Sequence, residues 1–402
     1  MNTMELKRSR SARSCNNMQR ENVRILIVDD SALIRKYLKE TLNTVPGIEV
    51  VGTASNGFFA LEKIKELSPD VVTLDFHMPR LDGLQTLKKI MEENPLPVIM
   101  LSSVSTKGAK LTLEALRLGA VDFMPKPTGS LVDNLRFIKK DLVPKIFSAK
   151  NSNVQRFLEN WEKKIQDICA STFEEVISES FEILAPTILE SHLFFGIGCS
   201  TGGPQALEQI IRNLPGDFPA PIGVVQHMPE PFLSVYAEHL NNVSELTVKV
   251  ASRHTLFKPG TVLLAPGNAH MRLVRFGKNK LVSLQELENQ GLGFFPSVDL
   301  FFCSMAKAMK KNTVGIILSG MGKDGTAGAK AIKMVGGTTI VQDRKSATVY
   351  GMPGSVESEG LADYSGSPEM IAEIMKKLVF QDFYTEYEQS KPNERKTSFG
   401  FE

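Results

Sequence analysis

The sequence predicts an α/β protein built from two doubly wound parallel-sheet domains. Three observations carry the prediction. Short Val/Ile/Leu-rich runs alternate with amphipathic helical stretches, the pattern of strands covered by helices on both faces. The alternation occurs twice, before and after a helix-prone stretch of different character. The chain's 402 residues also exceed what one ordinary core organises.

The first domain spans 24–147. Its strands are RILIVD, EVVGTA, DVVTLD, PVIML and VDFMP, which make a five-stranded parallel sheet. SALIRKYLKETL, GFFALEKIKEL, LQTLKKIMEE and KLTLEALRLG supply the covering helices. Residues 148–191 place apolar side chains at mixed three- and four-residue spacing and read as a helical linker, with Trp161 as a buried contact. The second domain, 192–380, has strands LFFGIG, APIGVVQ, LTVKVA, TVLLAP, TVGIILSG and GTTIVQ. Its helices include PQALEQIIRNL, PFLSVYAEHL, SVDLFFCSMAKAM, TAGAKAIKMV and PEMIAEIMKKL. Residues 1–23 read as a floppy basic tail without the apolar stretch of a signal peptide, and 381–402 as a polar, frayed tail.

Composition narrows the function classes. Lysine and arginine number 47 against 45 acidic residues, a net charge of +2, so nucleic acid is not expected as the main partner. No apolar run approaches the roughly 20 residues that span a bilayer, so no membrane insertion is expected. The four cysteines show no CxxC spacing, which fits reduced thiols and a cytoplasmic location.

In such sheets, functional residues are expected just beyond the carboxyl ends of the strands. The first domain places Asp29 and Asp30, Asp75, Ser102 and Lys126 there. Three carboxylates on one sheet edge make a hard-oxygen site suited to Mg²⁺. The ion and a lysine point charge would together neutralise an incoming phosphoryl group, and a hydroxyl such as Ser102 would register it. Each residue alone has a plainer use, such as Asp30 capping SALIRKYL. Their joint placement argues for a phosphoryl-accepting pocket. Carried by ILIVDDS, VVTLDFHMPRLDG, PVIMLSS and FMPKP, residues 24–147 resemble the receiver domain of two-component response regulators, a flavodoxin-like fold. The resemblance implies phosphorylation at Asp75, metal binding by Asp29, Asp30 and Asp75, and switch roles for Ser102 and Lys126. His77 reads as a solvent-facing residue whose backbone carbonyl faces the metal.

In the second domain, GIGCSTGGP contains G-x-S-x-G as Gly198-Cys199-Ser200-Thr201-Gly202, after an apolar strand and before a helix. A nucleophile on that turn is exposed, and amides at the helix start stabilise negative charge. A dinucleotide-binding turn would use Gly196, Gly198 and Gly202 instead. No acidic residue closes the next strand to bind a ribose, however. That strand ends in QHMP, delivering His227, and a later one in SGMGKDG, delivering Asp324. Nucleophile, base and orienting carboxylate thus converge from three strand ends. The order Ser, His, Asp differs from the Ser, Asp, His order of α/β-hydrolases. Cys199 is expected to point inward.

Residues 192–380 resemble the catalytic domain of the chemotaxis protein-glutamate methylesterase (CheB) family, through GIGCSTGGP, QHMP, APGNAHM, PSVD, SGMGKDG and GMPGSV. The resemblance implies Ser200 as nucleophile, His227 as base and Asp324 as orienter. It also implies that Thr201 lines the site, that the Met321 amide holds the oxyanion, and that His270 and Asp299 support the pocket. One departure is Phe295-Pro296 where the family usually carries an arginine immediately before PSVD; another is the long linker. The expected activity is phosphorylation-activated removal of glutamyl methyl esters from methyl-accepting chemotaxis receptors, with deamidation of receptor glutamines. The expected phosphodonor is a CheA-type histidine kinase, and no cofactor is expected for the esterase step. The alternatives are a docking module with an inert hydrolase-like domain, and a transcription factor. The second lacks a helix-turn-helix or basic recognition stretch.

Overall fold

The computed structural model describes residues 22–102, 106–126, 138–152, 193–276, 279–286 and 296–390. The predicted linker lies, from residue 153 on, outside the described residues. So do the tail up to residue 21, Phe295, and residues 391–402.

The first sheet contains β1 (Val23–Val28), β2 (Ile48–Ala54), β3 (Val71–Asp75), β4 (Val98–Ser102) and β5 (Asp122–Pro125). Their order is β2-β1-β3-β4-β5, and every pairing is parallel. The connections are α1 (Ala32–Leu42), α2 (Gly57–Leu67), α3 (Gly83–Glu93) and α4 (Thr106–Arg117). Starts are set locally: Ser31, Asn56 and Asp82 each accept a backbone N–H as N-caps, and Asp82 with Gln85 forms a capping box. Because Ser31 caps α1, Asp30 keeps its exposed carboxylate for the pocket. After a π-type turn at Ile138–Leu142, α5 (Val143–Lys150) runs past the boundary predicted at 147.

The second sheet has seven parallel strands in the order β14-β13-β12-β6-β7-β9-β8. They are β6 (Phe194–Cys199), β7 (Ile222–Gln226), β8 (Thr247–Val250), β9 (Thr261–Leu264), β12 (Thr313–Ile317), β13 (Thr338–Gln342) and β14 (Tyr364–Gly366). Its helices are α6 (Gly203–Arg212), α7 (Glu230–Val243), α8 (Val298–Met309), α9 (Thr326–Met334), α10 (Gly351–Ser358) and α11 (Pro368–Ser390). Helix α11 therefore continues into the segment expected to be a frayed tail. An antiparallel hairpin, β10 (Ala269–Phe276) with β11 (Asn279–Glu286), was not predicted, and neither were α10 and β14.

Adjacent side chains of β6 serve opposite faces of its sheet, as strand alternation requires. Phe194 meets Phe257 and Phe301 in one apolar cluster, beneath α8. Phe195 meets Phe218 in the other. That second cluster does not stop at the domain boundary. It continues through Phe232 on α7 to Phe123 on β5, ring centroids 4.7 Å apart, and into the core of the first domain. Among the described residues no helix is long and apolar enough to cross a membrane.

Candidate active site and phosphorylation pocket

Both sheets reverse their winding at one place, and candidate residues collect there. In the second sheet the reversal falls at β6, between β12 and β7. Ser200 follows β6, His227 follows β7, and Met321 and Asp324 follow β12.

The Ser200 turn is fixed from below. Its amide donates to the Ser319 carbonyl at 3.0 Å, and its carbonyl accepts from Gly203 N at 2.8 Å and Gln226 Nε2 at 3.1 Å. The next helix, α6, has Gly202 at its N-cap position and no side-chain cap, so the Ser200 hydroxyl is not used as one. Gly202 has φ +74°, and a Cβ there would lie 2.5 Å from Thr348 Cβ. Gly196 and Gly198 serve the packing of α8: Cβ atoms there would meet Met305 Sδ and Val298 Cγ1, each at 2.3 Å. These glycines are occupied by protein neighbours, which disposes of the dinucleotide alternative. Cys199 does point inward. It is fully buried, its thiol donates to Gln226 Oε1 at 3.0 Å, and burial pushes its proton affinity far up, so no thiolate forms beside Ser200.

His227 Nε2 lies 2.9 Å from Asp324 Oδ2, the pairing the sequence predicts. Asp324 does not cap its own helix. Its carboxylate crosses to the start of α8, accepting from Val298 N at 2.8 Å, Asp299 N at 2.9 Å and Ser297 Oγ at 3.1 Å. Burial alone would raise its proton affinity, but the His227 bond and these amides outweigh burial and hold it low. A persistent anion at a helix N-terminus results. Ser297, the serine of PSVD to which the sequence assigned no role, also caps α8 through Leu300 N, and its amide donates to His270 Nδ1 at 3.1 Å. Burial keeps His270 toward the neutral form. Met321 lies between Gly320 and Gly322, and its amide makes no hydrogen bond among the described residues.

In the first domain, Asp29 and Asp75 are buried, Asp30 is exposed, and oxygens of the three lie within 4.8 Å of one another. Lys126 Nζ bridges Asp29 Oδ2 at 2.9 Å and Asp75 Oδ2 at 2.8 Å. Burial raises the proton affinity of Asp75, Lys126 opposes this, the Asp29 charge adds to it, and the His77 amide bond lowers it; the net direction is up. Burial depresses that of Lys126, but the two carboxylates more than reverse this. An all-oxygen, twice-buried acidic cluster with one open carboxylate fits a divalent cation. The His77 side chain is exposed. Ser102 is buried at the end of β4, and its Oγ accepts from Thr112 Oγ1 of α4 at 3.0 Å.

Sequence reading missed the contacts that join the two domains. Thr201 Oγ1 donates to Asp122 Oδ2, at the start of β5, at 2.5 Å, and Lys145 of α5 pairs with the same oxygen at 2.6 Å. Gln205 Nε2 donates to the Leu116 carbonyl at 2.5 Å, and Arg117 meets Glu208 at 3.3 Å. The one available signal was Asp122 itself, a charged residue opening an otherwise apolar strand.

The family described as CheB methylesterase matches residues 195–375, and the response regulator receiver domain matches 25–136. The protein-glutamate methylesterase/protein-glutamine glutaminase of Thermotoga maritima is 42% identical over 357 residues, covering 89% of this chain and 98% of that protein. Its counterpart in Archaeoglobus fulgidus is 42% identical over 371 residues, with the same 89% and 98% coverage. A crystal structure of the Thermotoga maritima CheB methylesterase catalytic domain is 43% identical, covers 48% of this chain and 100% of its own, and has a TM-score of 0.45. The chain belongs to the protein-glutamate methylesterase/protein-glutamine glutaminase family, with a receiver domain preceding a CheB methylesterase domain.

Proposed function

We propose that this chain hydrolyses glutamyl methyl esters on chemoreceptors, deamidates receptor glutamines, and is switched on by phosphorylation of Asp75. The observation that carries the enzymatic reading is the 2.9 Å His227–Asp324 pair beside the Ser200 turn. With Nε2–H donated to Asp324, Nδ1 is the nitrogen that takes the Ser200 proton. Ser200 Oγ attacks the ester carbonyl, the Met321 amide stabilises the oxyanion, and the imidazolium returns its proton to the departing methanol. Water, deprotonated by His227, then cleaves the acyl-enzyme to leave glutamate. From a glutamine the same steps expel ammonia. Asp324 keeps its negative charge throughout and steadies the imidazolium.

In the receiver, Asp29, Asp30 and Asp75 would hold Mg²⁺, which neutralises charge when bound. Asp75 accepts the phosphoryl group from a histidine-kinase donor, and Lys126 exchanges its contact with the Asp75 carboxylate for one with a phosphate oxygen. Ser102 is bonded to α4, and α4 ends at Leu116 and Arg117 on the catalytic domain. We read the Asp122–Thr201 contact as a closed state in which the receiver covers the site, and phosphorylation as shifting the population toward an open one. Methanol release from methylated receptor, with and without a small-molecule phosphodonor, tests both halves. Ser200→Ala should abolish release and Asp75→Asn should abolish the response to phosphodonor. Equal rates in wild type and Ser200→Ala would instead favour a docking-only role.

A further inference from the structure

The turn carrying Met321 and Asp324 has few means of holding itself. Gly322 and Gly325 adopt φ +85° and +98°, and Gly325, at the N-cap position of α9, gives that helix no side-chain cap of its own. The acceptor comes from another helix. Asp299 Oδ1, in the first turn of α8, accepts from Gly325 N at 2.9 Å and Gly328 N at 2.8 Å. Asp324 in turn accepts from the Val298 and Asp299 amides of α8. Each helix begins on a carboxylate supplied by the other, where the helix dipole favours an anion. Gly328 permits the close approach, since a Cβ there would lie 2.5 Å from Phe302 Cβ.

We propose that Asp299 is a positioning residue for the esterase reaction. It fixes the Met321–Asp324 turn so that Asp324 meets His227 in register, and it places a second negative charge behind Asp324 for the imidazolium. The inference rests on the esterase reading above. A neutral cap would hold the helix without setting two carboxylates side by side. Burial raises the proton affinity of Asp299, the Asp324 charge and a side-chain hydrogen bond with Asp324 add to this, and the Gly328 and Gly325 amides offset only part of it. Among the described neighbours, burial lowers the proton affinity of His270 of β10 against the pull of Asp324, burial and Asp299 raise that of Cys303 of α8, and Lys323 on the turn is exposed.

The experiment is steady-state methanol release from methylated receptor by the full-length chain, bounded by wild type and Ser200→Ala. Asp299→Ala should lower kcat by ~100-fold, the scale of a 1 Å misplacement, with KM little changed. Asp299→Asn keeps an acceptor oxygen and should restore most of kcat. It should also move the acidic limb of the kcat profile to lower pH, because loss of a nearby anion lowers the proton affinity of an imidazole. Wild-type kcat in Asp299→Ala would overturn the proposal. So would an Asp299→Asn profile superimposed on wild type, a result that stands even where the alanine variant does not fold. Equal kcat losses in both variants, tracking their melting temperatures, would reduce Asp299 to a structural cap. If Ser200→Ala releases methanol like wild type, the esterase reading itself has failed, whatever the Asp299 variants do.

Discussion

Asp75 and Asp324 occupy similar places in the two domains, buried at or beyond the carboxyl end of a strand beside the point where a parallel sheet reverses its winding. Their proton affinities nevertheless move in opposite directions. Asp75 is buried beside another carboxylate, with one lysine shared between the two. Asp324 is buried at a helix start, with four donors converging on two oxygens. In the roles proposed above, the carboxylate that attacks phosphorus has few donors and the one that orients a histidine has many. The topology supplies the place, and the donor count supplies the chemistry.

The variant that most directly tests this contrast is Asp324→Asn. It should lower methanol release by about 10⁴-fold, as loss of an orienting carboxylate does in serine–histidine–aspartate sites, while phosphorylation of Asp75 continues. Unchanged turnover would make Asp324 a structural cap and dissolve the comparison. Next in size, Lys126→Met leaves Asp29 and Asp75 facing each other unpaired and should destabilise the receiver by about 3–5 kcal/mol, read by thermal melting. Added Mg²⁺ should recover part of that loss; no recovery would argue against a cation site. Asp122→Ala removes the carboxylate that ties Thr201 to the receiver. Basal activity without phosphodonor should then rise by roughly 10-fold, the equivalent of one charged hydrogen bond. A flat basal rate would show that the contact does not govern closure.

The smallest effect concerns pH and tests the signs. Asp75 binds its proton more tightly folded than unfolded, so its ionisation opposes folding at neutral pH and acidification relieves that strain. Asp75→Asn should therefore raise receiver stability at pH 7 and lose the advantage as pH falls into the carboxylate range. Asp324, with lowered affinity, contributes stability that is present at neutral pH and lost only on strong acidification. Melting curves of Asp75→Asn and Asp324→Asn across acidic pH should diverge accordingly.

What was legible in the sequence followed from periodicity. Buried parallel strands such as DVVTLD and TVGIILSG are continuous apolar runs, and the reactive residues sit where those runs stop. The hairpin β10–β11 escaped a search for such runs because it alternates: Met271 and Leu273 are buried while Arg272 and Val274 are exposed. Helix α10 begins GMPG, a composition that reads as a turn. The contacts Asp122–Thr201 and Asp299–Gly325 were beyond reach for a different reason. Each joins elements far apart in the chain, so no local spacing announces it.

Phe123 against Phe232 makes the boundary between the domains part of a continuous apolar core. Separating them therefore means wetting hydrocarbon that is otherwise dry, and the cost of wetting depends on temperature. Hydrophobic attraction weakens on cooling, so the proposed closed state should loosen in the cold. Unphosphorylated enzyme would then run at a larger fraction of its activated rate at about 5 °C than at about 30 °C. A ratio independent of temperature would place the restraint in the polar rim. A receiver held by an oily joint would make the switch sensitive to temperature as well as to phosphate.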